Sequence, residues 1–383
     1  MKTKSLLLVQ HEVNENNGIG KKIISQKKAL LNLGYYVEIC SLVTDNNGKY
    51  YARVIDGKIF ELFQKKYGLN KKLQWIWGYS KIFEYITAES IKFVYIRYTH
   101  FANPFFIYFL KRLRDTGVLI YLEIPTYPYD SEYKDITFGK KILLTLEQAC
   151  RMQFKNKVNR IITVTDDTKI FGIETINIDN GIDINTIPVK RWKASSSSIR
   201  VIIVSSFEFW HGYERLIHGM AQYQKKQKSI DIHFDFIGHN NTTTCNEYKR
   251  LVNLYGLEDK FKFHGYLTGK SLDQIFDVAD VAIGVIGGHR KGLDKLKALK
   301  NREYCARGIP FAYSGSDPSF DGCNFVLKLQ NDESPINISE LIDWAISIPD
   351  VTELMRKHAI DNLTWDKQMS KIAESANYFL KQK

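Results

Sequence analysis

The feature that most constrains this chain is a β-branched run that stops abruptly at small polar residues. Val201-Ile202-Ile203-Val204 ends at Ser205-Ser206-Phe207, a pattern that predicts a strand buried on both faces and giving way to a loop. After Trp210-His211-Gly212-Tyr213, the segment Glu214 to Tyr223 places Leu216, Ile217, Met220 and Tyr223 at helical spacing. The unit is therefore strand, small-residue loop, helix. The helix N-terminus offers free N–H groups and the positive end of its dipole to an anion in that loop. A phosphate group is the expected guest, although an ordinary βα turn has the same outline.

The same alternation runs through the whole chain. Ser5 to Gln10 reads as a first strand, His11 to Asn17 as a polar loop, and Lys22 to Leu33 as a helix after Gly18-Ile19-Gly20. Glycines there let backbone approach a ligand closely, yet the third glycine of a dinucleotide fingerprint is missing and a simple tight turn fits too. Tyr35 to Val43 follows as a strand, Val54 to Phe63 as a hairpin around Asp56-Gly57, and Leu73 to Ala88 as an amphipathic helix. Lys92 to Tyr98 and Val118 to Ile124 are strands flanking a helix from Pro104 to Arg114. Ile161 to Thr165 is a further strand, with Asp166-Asp167 opening a short helix.

Ligands of open α/β sheets bind outside the carboxyl ends of the strands. Arg97, His100, Glu123, Thr126 and Tyr129 stand at such ends and are candidates for substrate contact. Each alone reads equally as a capping or surface residue.

Lys190 to Ser198 is polar and serine-rich, which places a domain boundary between residues 1–190 and 199–363. Beyond it come strands at Ile232 to Ile237, Phe261 to Phe263, Val281 to Val285 and Pro310 to Tyr313. The intervening helices are Glu247 to Tyr255, Leu272 to Val278 and Leu296 to Arg307. Ile338 to Ile346 and Trp365 to Leu380 are terminal helices, residues 364–383 being expected to pack back on the first domain. With 383 residues the chain has room for two cores. Two consecutive α/β units with an interdomain cleft are expected.

The five cysteines are odd in number and far apart, so no disulfide framework or metal-binding CxxC is indicated. The run Leu6 to Val9 is too short for a signal-peptide core, and no window reaches the ~18 apolar residues of a membrane span. A cytoplasmic protein is expected. A net charge of +12 suits nucleic acid, an anionic membrane surface or an anionic substrate. The lack of zinc-knuckle spacing and of RNP-type aromatics argues against nucleic acid.

Six landmarks in fixed order resemble the retaining GT-B glycosyltransferases of the family-four type. They are Gly18-Ile19-Gly20, Asn180-Gly181-Ile182-Asp183, the Trp210-His211-Gly212 unit with Arg215-Leu216-Ile217, Phe261 to Tyr266, Ala279-Asp280, and Arg302 to Pro310. The resemblance spans nearly the full length. It implies an α/β GT-B fold of two Rossmann-like domains whose parallel sheets face a cleft, and metal-independent sugar transfer from a nucleotide-sugar with retention. It implies no cofactor and no metal, and a saccharide acceptor; the basic charge makes a lipid-linked saccharide acceptor in surface polysaccharide assembly the further expectation. A peripheral position on the inner face of the plasma membrane is the matching expectation, with basic, aromatic segments Lys65 to Tyr79 and Pro104 to Arg114 as contacts.

Carried over by position, Glu303 matches the second acid of the family's Glu-x7-Glu pattern, the one that accepts hydrogen bonds from the donor ribose. The first acid falls at Lys295 and is not acidic. The family's arginine and lysine on the diphosphate fall at Ser206 and His211, so replacement cations are expected. Lys300 and Arg302 are the preferred ones among Arg290, Lys291, Lys297, Lys300 and Arg302. A protonated His211 and the helix N-terminus at Gly212 are further donors to the phosphates. Tyr266 and Leu267 match the base-packing position, where Tyr266 stacks on a base or fills core. Gly18 and Gly20 complete the donor set. The family histidine is replaced by Glu123, expected either to orient the acceptor hydroxyl and stabilise charge at the sugar carbon or to be a buried acid tied to Arg97. Arg97, His100, Thr126 and Tyr129 are the acceptor candidates. An epimerase of the same fold and a non-catalytic binding subunit are the rival readings.

Overall fold

The first strand of the computed structural model, β1 (Lys4–Val9), shows why these residues make a central strand. Leu6 and Leu8 enter the hydrophobic cluster on one side of the sheet, Leu7 and Val9 the cluster on the other. A strand covered on both faces has no polar side to present. The structure describes residues 2–15, 18–45, 47, 49–63, 78–125, 127–129, 138–191, 198–225, 230–239, 242–292 and 295–382.

The first unit comprises Met1–Gly181 and Trp365–Lys383. In chain order it holds β1, α1 (Gly18–Asn32), β2 (Tyr36–Thr44), β3 (Tyr50–Ile55), β4 (Lys58–Leu62), α2 (Ser80–Ala88), β5 (Phe93–Arg97), α3 (Pro104–Asp115) and β6 (Leu119–Ile124). Then come α4 (Phe138–Arg151), β7 (Arg160–Thr163), β8 (Lys169–Ile170) and β9 (Ile173–Asn177). The sheet order is β4-β3-β2-β1-β5-β6-β7-β9-β8. The strands from β2 to β9 pair in parallel, while β3 and β4 at one edge and β8 at the other are antiparallel. The order reverses between β1 and β5, a topological switch point.

The second unit, Ile182–Thr364, is more regular. It holds β10 (Ser198–Val204), α5 (Glu214–Gln224), β11 (Asp231–Ile237), α6 (Thr243–Tyr255), β12 (Phe261–Gly265), α7 (Gly269–Val278) and β13 (Val281–Ile283). These are followed by α8 (Leu299–Arg307), β14 (Phe311–Ser314), β15 (Val326–Leu329), α9 (Ile338–Ser347) and α10 (Thr352–Asn362). All its strand pairs are parallel, in the order β12-β11-β10-β13-β14-β15. Numbered from β10, that is the 3-2-1-4-5-6 order of the doubly wound fold, with its switch point between β10 and β13. β10 sends Val201 and Ile203 into one cluster and Ile202 into the other.

Several expectations are corrected. The unit boundary falls at Gly181/Ile182 rather than at the serine-rich stretch, because Lys190 already belongs to the second unit, its N–H donating to Arg307 O at 2.8 Å. The last helix, α11 (Trp365–Lys381), needs no correction: it packs on α1 in the first unit, as expected of residues 364–383, with Tyr35 OH donating to Asn377 Oδ1 at 2.7 Å. No helix opens at Asp166-Asp167: Thr165 Oγ1 donates to Asp167 Oδ2 at 2.6 Å and the segment turns into β8. Helices α4 and α10 and strand β15 are additional to the sequence reading. Of the helix expected at Leu73 to Ala88, the residues before Gly78 lie outside the described ones, as does most of Lys65 to Tyr79.

Candidate active site

At the second unit's switch point, the strand β10 ends at Val204 and the chain turns sharply. Phe207, three residues on, has φ +56°, a left-handed conformation that a bulky side chain adopts only under constraint. Gly212 follows with φ +77°, and a Cβ there would lie 2.8 Å from Gly287 Cα in the loop after β13. The two loops therefore meet glycine to glycine. Arg290 braces them, donating to Phe209 O at 2.6 Å and pairing with Glu214 and Glu333. Its guanidinium is thus committed to carboxylates of its own unit, and Lys291 lies over the Trp210 ring at 4.1 Å.

Lys300, on α8, is differently placed. Its Nζ donates to Ser205 Oγ at 3.0 Å and to Tyr213 OH at 2.9 Å. No carboxylate pairs with it among the described residues, and burial alone lowers its pKa from 10.5 to about 7. An ammonium held by hydroxyls at the carboxyl end of a parallel strand favours the approach of negative charge. His211 beside it is 3% exposed; its Nδ1 accepts the Glu208 N–H at 2.9 Å and lies 3.0 Å from Ser205 Oγ. Burial first, then Lys300 and Lys291, push its pKa from 6.5 to about 2. The expected protonated His211 is therefore corrected to a neutral ring with its proton on Nε2, still a donor but not a cation.

Arg302 is also corrected. It is fully buried, with Nη1 and Nη2 on the Asp317 carboxylate at 2.5 and 2.9 Å, a pair whose two side chains are both 0% exposed. Its charge is neutralised inside the unit and cannot serve a phosphate. Glu303 is about one-third exposed and pairs with Arg307 Nη2 at 2.9 Å, Arg307 in turn reaching Asp273 Oδ1 at 2.8 Å. Tyr266 is 63% exposed and stacks on His239 with ring centroids 4.9 Å apart and planes 6° apart, which excludes the core-filler alternative. Leu267 packs against the core beneath. Ser206 is exposed at the loop, and Lys295 forms an isolated bridge with Ser316.

In the first unit, Gly18 and Gly20 belong to the first turn of α1 rather than to a loop. A Cβ on Gly20 would overlap Asn14 O at 1.9 Å, so the glycine there accommodates the chain's own preceding loop. Gly18 has open space around it.

The carboxyl ends of β1, β5 and β6 carry a buried polar cluster around Glu123. Its Oε1 receives Arg97 Nη1 at 2.6 Å and Lys22 Nζ at 2.9 Å; its Oε2 receives Tyr95 OH at 2.9 Å and Gln26 Nε2 at 3.3 Å. Desolvation opposes ionisation, yet Lys22 and Arg97 outweigh it and hold the carboxyl down at about 2. With both oxygens occupied and so low a pKa, Glu123 is a poor general base, and the catalytic expectation for it is corrected to the buried-acid alternative. Lys22 and Arg97 both face Glu123, and the buried Asp179 carboxylate also acts on Lys22. His11 Nε2 and Arg97 Nε are buried beside them without hydrogen-bond partners among the described residues.

Of the other acceptor candidates, Tyr129 is corrected: it is 1% exposed, its hydroxyl donates to Glu147 Oε1 at 2.8 Å, and its ring stacks against His100 at 3.6 Å. His100, three residues past β5, has φ +58°, repeating at the first switch point the strain seen at Phe207. Thr126 lies outside the described residues. Sequence reasoning missed Lys22, Gln26, Tyr95, His11, Ser205 and Tyr213. Lys22 and Gln26 carried a signal, two polar residues four apart on the otherwise apolar inner side of α1. Among the described residues no group of three or more His, Cys, Asp or Glu is arranged to hold a metal.

Comparison with known proteins adds the fold. No family model matches this chain. Mannosylfructose-phosphate synthase from Agrobacterium fabrum is 33% identical over 76 residues, a match spanning 19% of this chain and 17% of that protein's length. Among solved structures, a glycosyltransferase from Rickettsia africae superposes with TM-score 0.68 at 14% identity over 100% of both chains. Sucrose-phosphate synthase from Thermosynechococcus elongatus gives 0.64 at 15%, covering 99% of this chain and 100% of that one. HepE from Anabaena in complex with UDP gives 0.62 at 13%, with the same coverage. The fold is that of the GT-B glycosyltransferases.

Proposed function

We propose that this chain, built on the GT-B fold, is a glycosyltransferase that takes its sugar from a nucleotide-sugar donor bound by the second unit. The observation that carries the reading is Lys300: an ammonium at the switch point of a doubly wound sheet, satisfied by two hydroxyls and, among the described residues, by no carboxylate. A diphosphate supplies the missing charge. As the glycosidic bond to phosphate breaks, negative charge grows on the leaving oxygen, and a preorganised cation and N–H donors stabilise it there. Lys300, the Nε2–H of neutral His211 and the amides at Gly212 take those roles. Tyr266 with His239 offers a stacking platform for the base at the ends of β11 and β12, and Glu303 a carboxylate for the ribose hydroxyls.

Retention and metal independence belong to the same proposal. Lys300, the His211 Nε2–H and the amides at Gly212 stand where the two cations are missing at Ser206 and His211, and the transfer is read as independent of metal ion and cofactor. In retaining transfer the departing phosphate oxygen accepts the acceptor proton, which fits a first unit whose Glu123 cannot act as a base. The acceptor, bound by the first unit, is a saccharide or lipid-linked saccharide carrying an anionic group. Lys22 and Arg97 form its counter-charge, with His100 and Thr126 nearby in sequence. A role in surface polysaccharide assembly, at the cytoplasmic membrane surface, suits such an acceptor; no described helix is long and apolar enough to cross a membrane.

The test is a thermal-shift panel of nucleoside diphosphates and nucleotide-sugars, followed by product analysis with chelator present. A ligand binding only the folded state raises the midpoint by mass action. At least one nucleoside diphosphate should do so, and its nucleotide-sugar should be slowly hydrolysed with EDTA present; a flat panel would refute the reading.

A further inference from the structure

Helices α5 and α6 of the second unit pack together, and between them, beside the turn Phe209–His211, lies a groove of about 540 Å³. Small-molecule sites span about 300–1,000 Å³. The residues given above to the donor, Lys300, His211, Tyr266 and Glu303, are not in its lining.

The charges of the groove are already matched. Arg290 pairs with Glu214 and Glu333, and Arg250 holds Glu247 through Nε at 2.8 Å and Nη2 at 2.7 Å. An ion entering there gains from one member of each pair and loses to the other. A hydroxyl group donates and accepts at once, so it can bond a guanidinium and its carboxylate together.

Two further features call for a ligand. Tyr248 is 1% exposed, its ring packed edge-on against Phe207, Tyr213 and Phe236. Glu214 and Arg290, both in the groove wall, act on its hydroxyl and the Tyr213 N–H lies against it, yet the hydroxyl's own proton has no acceptor among the described residues. A buried donor left in that state is costly until a ligand oxygen takes it. Phe209, by contrast, is 59% exposed, and its ring joins Leu251 in the lining. An apolar ring beside groups that bind hydroxyls matches both characters of a sugar, its C–H face and its rim of hydroxyls.

We propose that the groove between α5 and α6 is a carbohydrate site, separate from the donor residues, that holds a neutral saccharide between Phe209, Tyr248 and the Arg250–Glu247 pair. It goes beyond the transfer reading and is measured without that reaction. Full-length protein is examined by saturation-transfer difference NMR with glucose, galactose, mannose, N-acetylglucosamine, maltose, cellobiose and lactose, and the best of these is titrated by calorimetry. At least one sugar should receive saturation. Phe209→Ser and Tyr248→Phe should each weaken its binding on the order of tenfold, the first with an unchanged thermal midpoint, since the backbone carbonyl that meets Arg290 remains. Lys300→Met should bind the sugar as wild type does, and inorganic phosphate should not displace it.

A panel that receives no saturation would overturn the proposal, as would wild-type-like binding by either groove variant, loss of binding in Lys300→Met, or displacement by inorganic phosphate. If a sugar binds as described while no nucleoside diphosphate binds at all, the groove stands and the transfer reading falls; the reverse result removes the groove alone.

Discussion

Lys300 Nζ stands 3.0 Å from Ser205 Oγ, joining two residues 95 positions apart at the one point where the second sheet reverses its strand order. Among the described residues, neither has a carboxylate to balance the ammonium. That imbalance costs stability when nothing is bound and becomes affinity when an anion arrives.

The first consequence is a pH dependence. Lys300 titrates at about 7 in the folded chain against 10.5 for an ordinary lysine. Between these values the unfolded state holds the proton that the native state has lost, so the unliganded protein should gain stability as pH rises from about 7 toward 10.5. Diphosphate affinity should move the opposite way, falling by up to about tenfold per pH unit above 7 as the ammonium is lost. Calorimetric titration across pH 6.5 to 9 (roughly one ammonium ionisation range) reads it, and Lys300→Met should flatten the profile.

The Glu123 cluster predicts acid sensitivity. Its folded pKa of about 2 lies below the usual 4.5, so its contribution is complete above pH 4.5 and is lost as pH falls toward 2. Glu123→Gln leaves Arg97 and Lys22 buried against a neutral amide and should cost about 3–5 kcal/mol at neutral pH. Urea denaturation checks both. A loss under about 1 kcal/mol would mean that the cluster is solvated rather than buried.

Arg302 should behave as a structural residue. Arg302→Met strands the buried Asp317 and should destabilise by about 3–5 kcal/mol, while adding Asp317→Leu should restore most of that loss. The double variant should bind nucleoside diphosphate as the wild type does. A large loss of affinity in the stable double variant would return Arg302 to the donor site.

Tyr266, being exposed, can be removed without harm to the fold. Tyr266→Ala should leave the thermal midpoint within a degree or so and weaken nucleoside diphosphate binding by about 1–3 kcal/mol, the range for base stacking on an aromatic ring. Inorganic pyrophosphate binding should not change, since it has no base to stack.

The alternation of apolar runs and helical spacing made the two α/β units legible, because β-branched strands buried on both faces such as Val201–Val204 leave little choice of structure. The sites were legible only at their loops. Local order cannot show that Lys22 crosses from α1 to Glu123, 101 positions away by number, or that Asp317 claims Arg302. Both pairs depend on which strand ends lie side by side. The sequence order Lys300, Arg302, Glu303 put all three near a ligand, yet α8 turns Arg302 into the core and Lys300 toward Ser205. Helix α4 escaped notice because Ile142, Leu143 and Leu146 face outward, so the usual amphipathic logic does not apply.

The most direct test of the central claim is calorimetric titration of a nucleoside diphosphate panel into wild type, Lys300→Met and Lys300→Arg at pH 6.5, below the point where Lys300 loses its proton (about 7). At least one diphosphate should bind wild type, Lys300→Met should lose on the order of a hundredfold in affinity, and Lys300→Arg should recover part of it. Equal binding by wild type and Lys300→Met, or none by wild type, would contradict the account.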